Sequence, residues 1–337
     1  MTRSPDHPTK KLLIATNHRL DLWTAPAWFS DRLRRDFPGV NVVRLTNNEN
    51  IAQEISDSEV AFTFALRPEQ LQAARKLRWI HSPAAAVHQF LFPEFVNSDV
   101  ILTNARDVHG PVVAEHVIAL IFALAKKIPL AVRFQQQHVW GQEIAWRARQ
   151  RPREVAGSIL GLVGLGSIGR AVAKHAAGLG MYVISAREHP ANPKPEFVHE
   201  VLPSSRLDEL LARSDYVVLA APVTRATQGM IGRSQLAKMK PDAYLINVGR
   251  GALIDEAALT DALRERKIAG AALDVFEQEP LPSDSPLWNL ENLLITPHTA
   301  GMTEKLWERH YALFSENLRR YLNGQPLIAL VNKKSGY

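Results

Sequence analysis

The sequence of 337 residues contains no cysteine. This absence excludes disulfide bonds, thiolate nucleophiles and cysteine-ligated metal sites together. Long apolar runs are also missing. The longest in the central helical segment, Val117 to Ala125, is far below the roughly 18 residues needed to span a bilayer. The sequence therefore predicts a soluble protein with no membrane partner.

Strong positive charge is missing as well. Forty Lys and Arg against 34 Asp and Glu give a net charge of +6, and no interleaving of aromatic and basic residues indicates nucleic-acid binding. The densest basic stretch, from Arg147 to Arg153, is interpreted as solvated, with attraction of an anionic substrate or cofactor as the alternative. Met1 to Lys11 lacks the apolar region of a secretion signal, so we expect a frayed tail on a cytoplasmic protein.

Short apolar runs alternate with longer helical patterns, which predicts α/β structure with parallel sheets. The length favours two domains. The predicted strands are 12–16, 42–45, 60–64 and 100–103 in a first unit, then 158–164, 181–186, 216–221, 243–248, 270–274 and 293–296 in a second. The helical segment Thr303 to Leu322 is expected to return to the first domain and make it discontinuous.

The segment from Val112 to Lys127 is apolar on almost every face, and Pro111 suits the first turn of a helix there. Such a helix must be buried between domains or between subunits. We therefore predict a homodimer that uses this helix. Trp140 is interpreted as a core residue, with a position over the active site across a dimer as the alternative.

A phosphate-binding loop is predicted where the strand from Ile159 to Val163 runs into Gly164, Gly166 and Gly169. Glycine at these positions permits a tight turn, close approach of a pyrophosphate and close packing of the next helix. The N-terminus of that helix presents free N–H groups to the phosphates. The segment therefore indicates a dinucleotide-binding domain.

The end of the following strand bears on the choice between NAD and NADP. An NAD-specific fold places Asp or Glu there for the ribose hydroxyls, whereas this strand ends in Arg187, followed by Glu188. Arginine pairs with a 2′-phosphate, which favours NADP. Two alternatives stay open: Glu188 turns inward and binds the ribose of NAD, or Arg187 is a solvated loop residue.

Three segments near the C-terminal half place reactive side chains at strand ends, where open α/β sheets bind ligands. Segments 247–251, 274–280 and 296–301 supply Arg250, Glu279 and His298. Imidazole exchanges a proton near neutral pH, a carboxylate orients it, and arginine matches a carboxylate bidentately. Each residue alone has an ordinary structural explanation. Together, behind a dinucleotide loop, they favour reduction of a 2-keto acid.

These residues resemble the D-isomer-specific 2-hydroxyacid dehydrogenases, which include glyoxylate/hydroxypyruvate reductases. The similarity also covers Thr103-Asn104-Ala105 and Val113-Ala114-Glu115-His116. It implies two doubly wound parallel-sheet domains: a Rossmann-type dinucleotide-binding domain, 108–301, inserted in a discontinuous flavodoxin-like substrate domain, 1–107 and 302–337. It further implies that Arg250 binds the substrate carboxylate and carbonyl, that Glu279 supports the histidine, and that His298 is the acid/base.

The same resemblance implies contacts with NADP or NAD. The residues concerned are Gly164, Gly166, Ser167, Ile168, Gly169, Arg187, Pro222, Thr227, Val248, Asp274 and Ala300. Val248 and Asp274 would border the nicotinamide, and Pro222, Thr224 and Thr227 would lie beside its ribose. For the threonines, ordinary turn chemistry is the alternative.

The substrate loop departs from the family pattern. Members commonly carry glycine in a turn where this chain has Ala84, Ala85 and Ala86. Alanine lacks the access of glycine to positive φ, so we expect a turn of different shape and leave the particular 2-hydroxy acid open.

Other polar residues give weaker indications. The histidines without a comparable catalytic signal are His81, His88, His109 and His116. Because no acidic cluster accompanies them, the sequence predicts no metal site.

The leading prediction is an oxidoreductase that transfers a hydride between NAD(P)H and C2 of a small D-2-hydroxy or 2-keto acid such as glyoxylate or hydroxypyruvate. One alternative is a nucleotide-sensing, corepressor-like interaction protein, because relatives of this fold keep the dinucleotide site in that role. Another is a formate- or phosphite-type dehydrogenase, whose substrate needs no carbonyl protonation. The retained triad and the lack of long disordered extensions favour the 2-hydroxyacid dehydrogenase.

Overall fold

The computed structural model describes residues 10–334 and residue 336. The chain divides into two compact units, Met1–Val108 with Thr303–Tyr337, and His109–Met302. Most of the tail that we predict to be frayed lies outside the described residues. For Lys10 and Lys11 that prediction is wrong, because both belong to the first strand and form ion pairs, Lys10 with Glu59 and Lys11 with Glu54 and Asp57.

The first unit contains a five-stranded parallel sheet. Its strands are β1 Lys10–Ala15, β2 Val40–Arg44, β3 Val60–Thr63, β4 Trp79–Ser82 and β5 Ile101–Asn104. They lie in the order β2-β1-β3-β4-β5, with every neighbouring pair parallel. This is the flavodoxin-like order. The helices between them are α1 Ala27–Asp36, α2 Ile51–Ile55, α3 Pro68–Ala73 and α4 Pro93–Val96.

Strand β4 is absent from the predicted series because its sequence mixes Trp79 and Ile80 with His81 and Ser82. All four residues are buried. Strand β5 provides a partner for two of the polar atoms: the hydroxyl of Thr103 accepts the indole N–H of Trp79 at 2.8 Å and lies 2.8 Å from Nδ1 of His81. The hydroxyl of Thr103 thus lowers the cost of burying these two polar side chains in the sheet.

The second unit contains a seven-stranded parallel sheet. Its strands are β6 Ile159–Val163, β7 Tyr182–Arg187, β8 Glu200–Pro203, β9 Tyr216–Leu219, β10 Tyr244–Asn247, β11 Gly270–Leu273 and β12 Leu293–Ile295. Their order is β12-β11-β10-β9-β6-β7-β8, which is the Rossmann order extended by one strand. The predicted fold class is thus confirmed. The prediction omits β8, a four-residue edge strand in which only Leu202 is fully buried.

The helices of this part of the chain are α5 Arg106–Ala125, α6 Ile128–Gln136, α7 Gln142–Arg147, α8 Ser167–Gly178, α9 Leu207–Arg213, α10 Arg233–Leu236 and α11 Glu256–Arg264. Short 3-10 helices are Asp21–Trp23, His88–Phe90, Ser204–Arg206, Gly251–Leu253 and Pro286–Asn289. The last helix, α12 Leu306–Leu322, belongs to the first unit. There Phe314 packs edge-on against Phe62 of β3, with ring centroids 4.8 Å apart.

Helix α5 begins earlier than predicted. Because it starts at Arg106, Pro111 lies inside the helix and not in its first turn. Proline lacks an N–H, so the carbonyl of Asp107 loses its helical partner. Both Pro111 and Asp107 are exposed, and solvent can replace the missing donor.

By length and composition α5 could cross a membrane, but a buried core helix meets the same criteria, and 56% of its most apolar window is buried. Residues from Val113 to Ala125 pack in the core of the second unit with Leu160, Leu162 and Val172. Helix α5 is therefore a core helix of this fold. The prediction of a core position for Trp140 is wrong, because this side chain is 91% exposed.

Candidate active site

The loop between β6 and α8 combines a tight closure with an open side. Gly164 has φ +98°, which an L side chain rarely adopts, and a Cβ at Gly169 would lie 2.2 Å from the carbonyl oxygen of Gly164. A Cβ at Gly166 would meet no heavy atom within 4 Å. Helix α8 begins at Ser167, with no side chain capping its N–H groups. The loop thus offers room and donors that fit the pyrophosphate of a dinucleotide.

Arg187 and Glu188 at the end of β7 are both engaged with protein atoms. The guanidinium of Arg187 donates to carbonyl oxygens in segment 190–193. The carboxylate of Glu188 accepts the hydroxyl of Ser204 at 2.9 Å. The cation therefore lies in the loop after β7, where this fold binds the ribose, and the carboxylate is directed towards Ser204.

The turn after β9 is held by its own threonines. The hydroxyl of Thr227 donates to the carbonyl of Pro222 at 2.7 Å and accepts the backbone N–H of Thr224 at 2.8 Å. Turn chemistry accounts for both threonine side chains. Val248, after β10, is 5% exposed.

His298 and Glu279 form the polar pair of the site. Nδ1 of His298 lies 2.6 Å from Oε2 of Glu279, and Oε1 of the same carboxylate accepts the backbone N–H of Phe276 at 3.0 Å. An ionised carboxylate only accepts hydrogen bonds. Nδ1 therefore carries a proton, and Nε2 is the nitrogen available for proton exchange with a reactant. The imidazole is 49% exposed, so a reactant can reach it.

The backbone of His298 is left-handed, with φ +54°, which costs a non-glycine residue about 1–2 kcal/mol. Its N–H donates to the carbonyl of Asp274 at 2.9 Å. The carboxylate of Asp274 accepts the backbone N–H groups of Thr299 at 2.9 Å and Ala300 at 3.0 Å, and the hydroxyl of Thr296 at 2.6 Å. Asp274 is 1% exposed. It therefore holds the loop that carries His298.

Arg250 follows β10 in a loop fixed by Asn247. The side-chain amide of Asn247 donates to the carbonyl of Arg250 at 2.9 Å and accepts the N–H of Gly249 at 3.0 Å. Desolvation by neighbouring protein atoms lowers the pKa of Arg250, and the charge of Glu279 opposes this shift. Arginine stays charged at neutral pH. The loop thus presents a cation suited to a carboxylate.

The loops that carry Arg250 and Glu279 touch backbone to backbone at Gly251. A Cβ at Gly251 would lie 1.9 Å from the carbonyl carbon of Phe276, so only glycine fits this approach. Nearby, the carboxylate of Glu256 accepts the N–H of Glu277. Burial raises the pKa of Glu256, and this backbone hydrogen bond opposes the shift. These contacts fix the two strand-end loops relative to each other.

The sequence gives His116 no catalytic signal, but the structure places it beside the site. Its Nε2 lies 3.1 Å from the hydroxyl of Thr296 and 3.7 Å from Oδ1 of Asp274. A histidine within an otherwise apolar helix needs a polar partner when it is buried, and this rule is the signal that could have identified it. Asn247 and Thr296 were also missed, because neither residue type indicates its role without the loop geometry.

The turn after β4 accommodates alanine without left-handed backbone. None of Ala84, Ala85 and Ala86 has a positive φ. The N–H of Ala84 donates to the hydroxyl of Ser82 at 3.2 Å, and the amide of Asn104 donates to the carbonyl of Ala85 at 2.6 Å. The turn is thus held by side chains of β4 and β5. Within residues 10–334 and residue 336, no three His, Asp or Glu side chains are placed to bind a metal ion.

Known proteins are similar to this chain in sequence. A family profile described as D-isomer specific 2-hydroxyacid dehydrogenase, NAD binding domain, matches residues 118–300. A glyoxylate reductase of Korarchaeum cryptofilum is 35% identical over 291 residues, which cover 84% of this chain and 86% of that protein.

Solved structures are similar over nearly the whole chain. One is a D-isomer specific 2-hydroxyacid dehydrogenase family protein from Aeromonas salmonicida, with a TM-score of 0.82 and 30% identity over 97% of this chain and 100% of that one. Another is an NADPH-dependent glyoxylate/hydroxypyruvate reductase from Sinorhizobium meliloti in complex with NADP and sulfate. It has a TM-score of 0.80 and 25% identity over 97% of this chain and 100% of that one.

Proposed function

Because the chain belongs to the D-isomer specific 2-hydroxyacid dehydrogenases, we propose that it reduces the C2 carbonyl of glyoxylate or hydroxypyruvate to a hydroxyl group, and that hydroxypyruvate, whose C2 becomes chiral, gives the D-isomer. The broader activity, an NAD(P)-dependent oxidoreductase of 2-hydroxy acids, follows from the family and the named relatives. The observation that carries the proposal is the 2.6 Å contact between Nδ1 of His298 and the carboxylate of Glu279. These residues lie in the loops that follow β12 and β11 of the dinucleotide-binding unit. The choice of a small keto acid is supported by the names of the Korarchaeum and Sinorhizobium reductases.

In the proposed reaction each catalytic residue has one task. When bound, NAD(P)H supplies a hydride to C2 of the keto acid. His298 donates the proton of Nε2 to the carbonyl oxygen, so that ketone, hydride and proton together give the hydroxyl group. Glu279 holds Nδ1–H and stabilises the imidazolium before transfer. Arg250 binds the substrate carboxylate through its guanidinium.

We propose NADP as the preferred cofactor. The cation of Arg187 at the end of β7 suits a 2′-phosphate, and the carboxylate that would accept a ribose hydroxyl, Glu188, is directed to Ser204. The reductase from Sinorhizobium meliloti was solved with NADP. The residues that would hold the dinucleotide are Gly164, Gly166, Ser167, Ile168, Gly169, Arg187, Pro222, Thr227, Val248, Asp274 and Ala300.

We also propose a cytoplasmic homodimer. Large apolar side chains are exposed in the segment that follows α5, namely Ile128, Val132, Val139, Trp140, Ile144 and Trp146. A soluble monomer rarely leaves an apolar patch of this kind in water. Since most of α5 is already buried in the core of its own unit, the proposed interface uses α6 and α7 as well as exposed residues of α5, Pro111, Glu115 and Ala119. The lack of cysteine agrees with a reducing compartment.

The test compares the parent protein with His298→Ala on NADPH and NADH, using glyoxylate, hydroxypyruvate and phenylpyruvate. We expect the parent to turn over the two small acids. His298→Ala should lower kcat by about 10² to 10⁴ while NADPH binding is kept, because general acid catalysis acts in the transition state. The control is His175→Ala, which removes an exposed histidine of α8.

Three results would contradict the proposal. A higher kcat/KM for phenylpyruvate would overturn the small substrate. Oxidation of formate or phosphite by NAD⁺ or NADP⁺, with no reduction of the keto acids by NADH or NADPH, would replace the reaction. NADPH binding without any turnover would favour an interaction protein.

A further inference from the structure

A short polar chain leads from α5 to the loop of the catalytic histidine. The carboxylate of Asp274 only accepts hydrogen bonds, so Thr296 gives it the single proton of its hydroxyl at 2.6 Å. The hydroxyl oxygen of Thr296 is then an acceptor for Nε2–H of His116, 3.1 Å away. The direction of donation is therefore fixed: His116 to Thr296 to Asp274.

Asp274 is where this chain meets the catalytic loop. Besides the hydroxyl of Thr296, its carboxylate accepts the N–H groups of Thr299 and Ala300, and its backbone carbonyl accepts the N–H of His298. These bonds surround a left-handed residue that would relax without them. A rotation of the Asp274 carboxylate would therefore break its bonds to Thr299 and Ala300, the two residues that follow His298, and so loosen the backbone of the histidine loop.

The role of His116 requires a donor and not a charge. Burial lowers the pKa of His116, and the carboxylate of Asp274 opposes this shift, so the neutral imidazole is favoured. The neutral tautomer with its proton on Nε2 makes the same hydrogen bond as the imidazolium. The side chain is 21% exposed, so water competes weakly for this donor.

Given the proposed function, on which this inference rests, we propose that His116 is a positioning residue for keto-acid reduction. Its hydrogen bond sets the rotamer of Thr296, and through it the carboxylate of Asp274, in the orientation that holds His298 in its left-handed conformation. His116 exchanges no proton with the reactants. Its effect is on the placement of the acid.

The discriminating substitutions differ in whether they keep a donor at the position of Nε2. In His116→Gln the amide nitrogen reaches that position, whereas His116→Asn ends short of it and His116→Phe has no donor. We expect His116→Phe to lower kcat about tenfold, the equivalent of one ordinary hydrogen bond. His116→Gln should keep most of the parent kcat, and the Kd of NADPH should stay within about twofold in both.

A double substitution tests the chain as a unit. Thr296→Val removes the next link, so His116→Phe combined with Thr296→Val should be no slower than Thr296→Val alone. The matched control is His175→Phe, the same exchange at an exposed histidine of α8, and it should keep the parent kcat. Should His116→Phe fail to fold, His116→Asn against His116→Gln provides the same comparison.

The outcomes separate this inference from the proposed function. If the parent does not reduce 2-keto acids, or if His298→Ala is as fast as the parent, the proposed function fails and this inference with it. If the parent is active through His298 but His116→Phe keeps its kcat, only the inference is overturned. Equal losses of kcat in His116→Phe and His116→Gln, together with a lower Tm, would assign His116 to packing. Additive effects with Thr296→Val would also overturn the inference.

Discussion

Replacing Glu279 by glutamine would remove the charge beside His298 and keep the size of the side chain. In the parent, one carboxylate oxygen accepts the N–H of Phe276 at 3.0 Å and the other lies 2.6 Å from Nδ1 of His298. An amide has one acceptor and one donor end. If its oxygen keeps the bond to Phe276, its NH₂ group faces Nδ1, and the imidazole must give up the Nδ1–H tautomer.

The interaction free energy between Glu279 and protonated His298 depends on how far the two side chains are exposed to solvent. Unit charges about 4 Å apart interact by about 4 kcal/mol at an effective dielectric constant near 20. Because the two side chains are 49% and 34% exposed, solvent screening reduces this value. What remains is about 1.5–3 kcal/mol, the range of a hydrogen bond to a charged group. We therefore expect kcat for keto-acid reduction to fall about 10- to 150-fold.

The assay is steady-state oxidation of NADPH with glyoxylate or hydroxypyruvate, together with direct titration of NADPH binding. The Kd of NADPH should be unchanged, because Glu279 contacts His298 and Phe276 and not the phosphate loop. Glu277→Gln is the matched control, since it makes the same exchange in the same loop at an exposed carboxylate. A Glu279→Gln enzyme whose kcat equals that of Glu277→Gln would refute the assigned role of Glu279.

Three further predictions concern the cofactor, the assembly and acid stability. Arg187→Asp should weaken NADPH relative to NADH at least about tenfold, and an unchanged Kd ratio would limit Arg187 to holding segment 190–193. Sedimentation at micromolar concentration should give a dimer; a monomer would contradict the assembly. Burial lowers the pKa of His81 to about 3 from 6.5, so the unfolded chain alone binds this proton between those values. Stability should therefore fall as pH drops below 6.5, by about 1.4 kcal/mol per pH unit. Urea unfolding of His81→Phe should lack this slope.

The sequence allowed the sheets and the catalytic residues to be predicted for the same physical reason. Buried parallel strands are continuous apolar runs, and the residue that follows each run must lie at the carboxyl edge of the sheet. Arg250, after β10, and His298, after β12, are such residues. Their roles remain proposals, but their positions followed from the pattern alone.

The predictions from sequence are wrong where the burial of a side chain depends on the tertiary structure. Strand β4 was missed because His81 becomes a core residue only when Thr103 of β5 supplies a hydrogen bond. The predicted start of helix α5 lies too late in the sequence because Pro111 is tolerated inside the helix, on its exposed side. Trp140 was assigned to a core because tryptophan is usually buried, and nothing local in the sequence shows that this side chain is 91% exposed.

Two carboxylates hold the proposed catalytic histidine in different ways. Glu279 bonds the imidazole and is about one-third exposed, whereas Asp274 bonds the backbone of the histidine loop and is 1% exposed. The first pair lies in partly solvated surroundings, where salt screens its charges; the second set of bonds is shielded from salt. The side chain of His298 can thus exchange a proton and adjust to a reactant while its backbone stays fixed. A site built in this way separates the electrostatics of proton transfer from the placement of the acid. Substitutions of Glu279 and substitutions in the Asp274 network are therefore expected to lower kcat by different factors, and these factors should also differ in their dependence on salt.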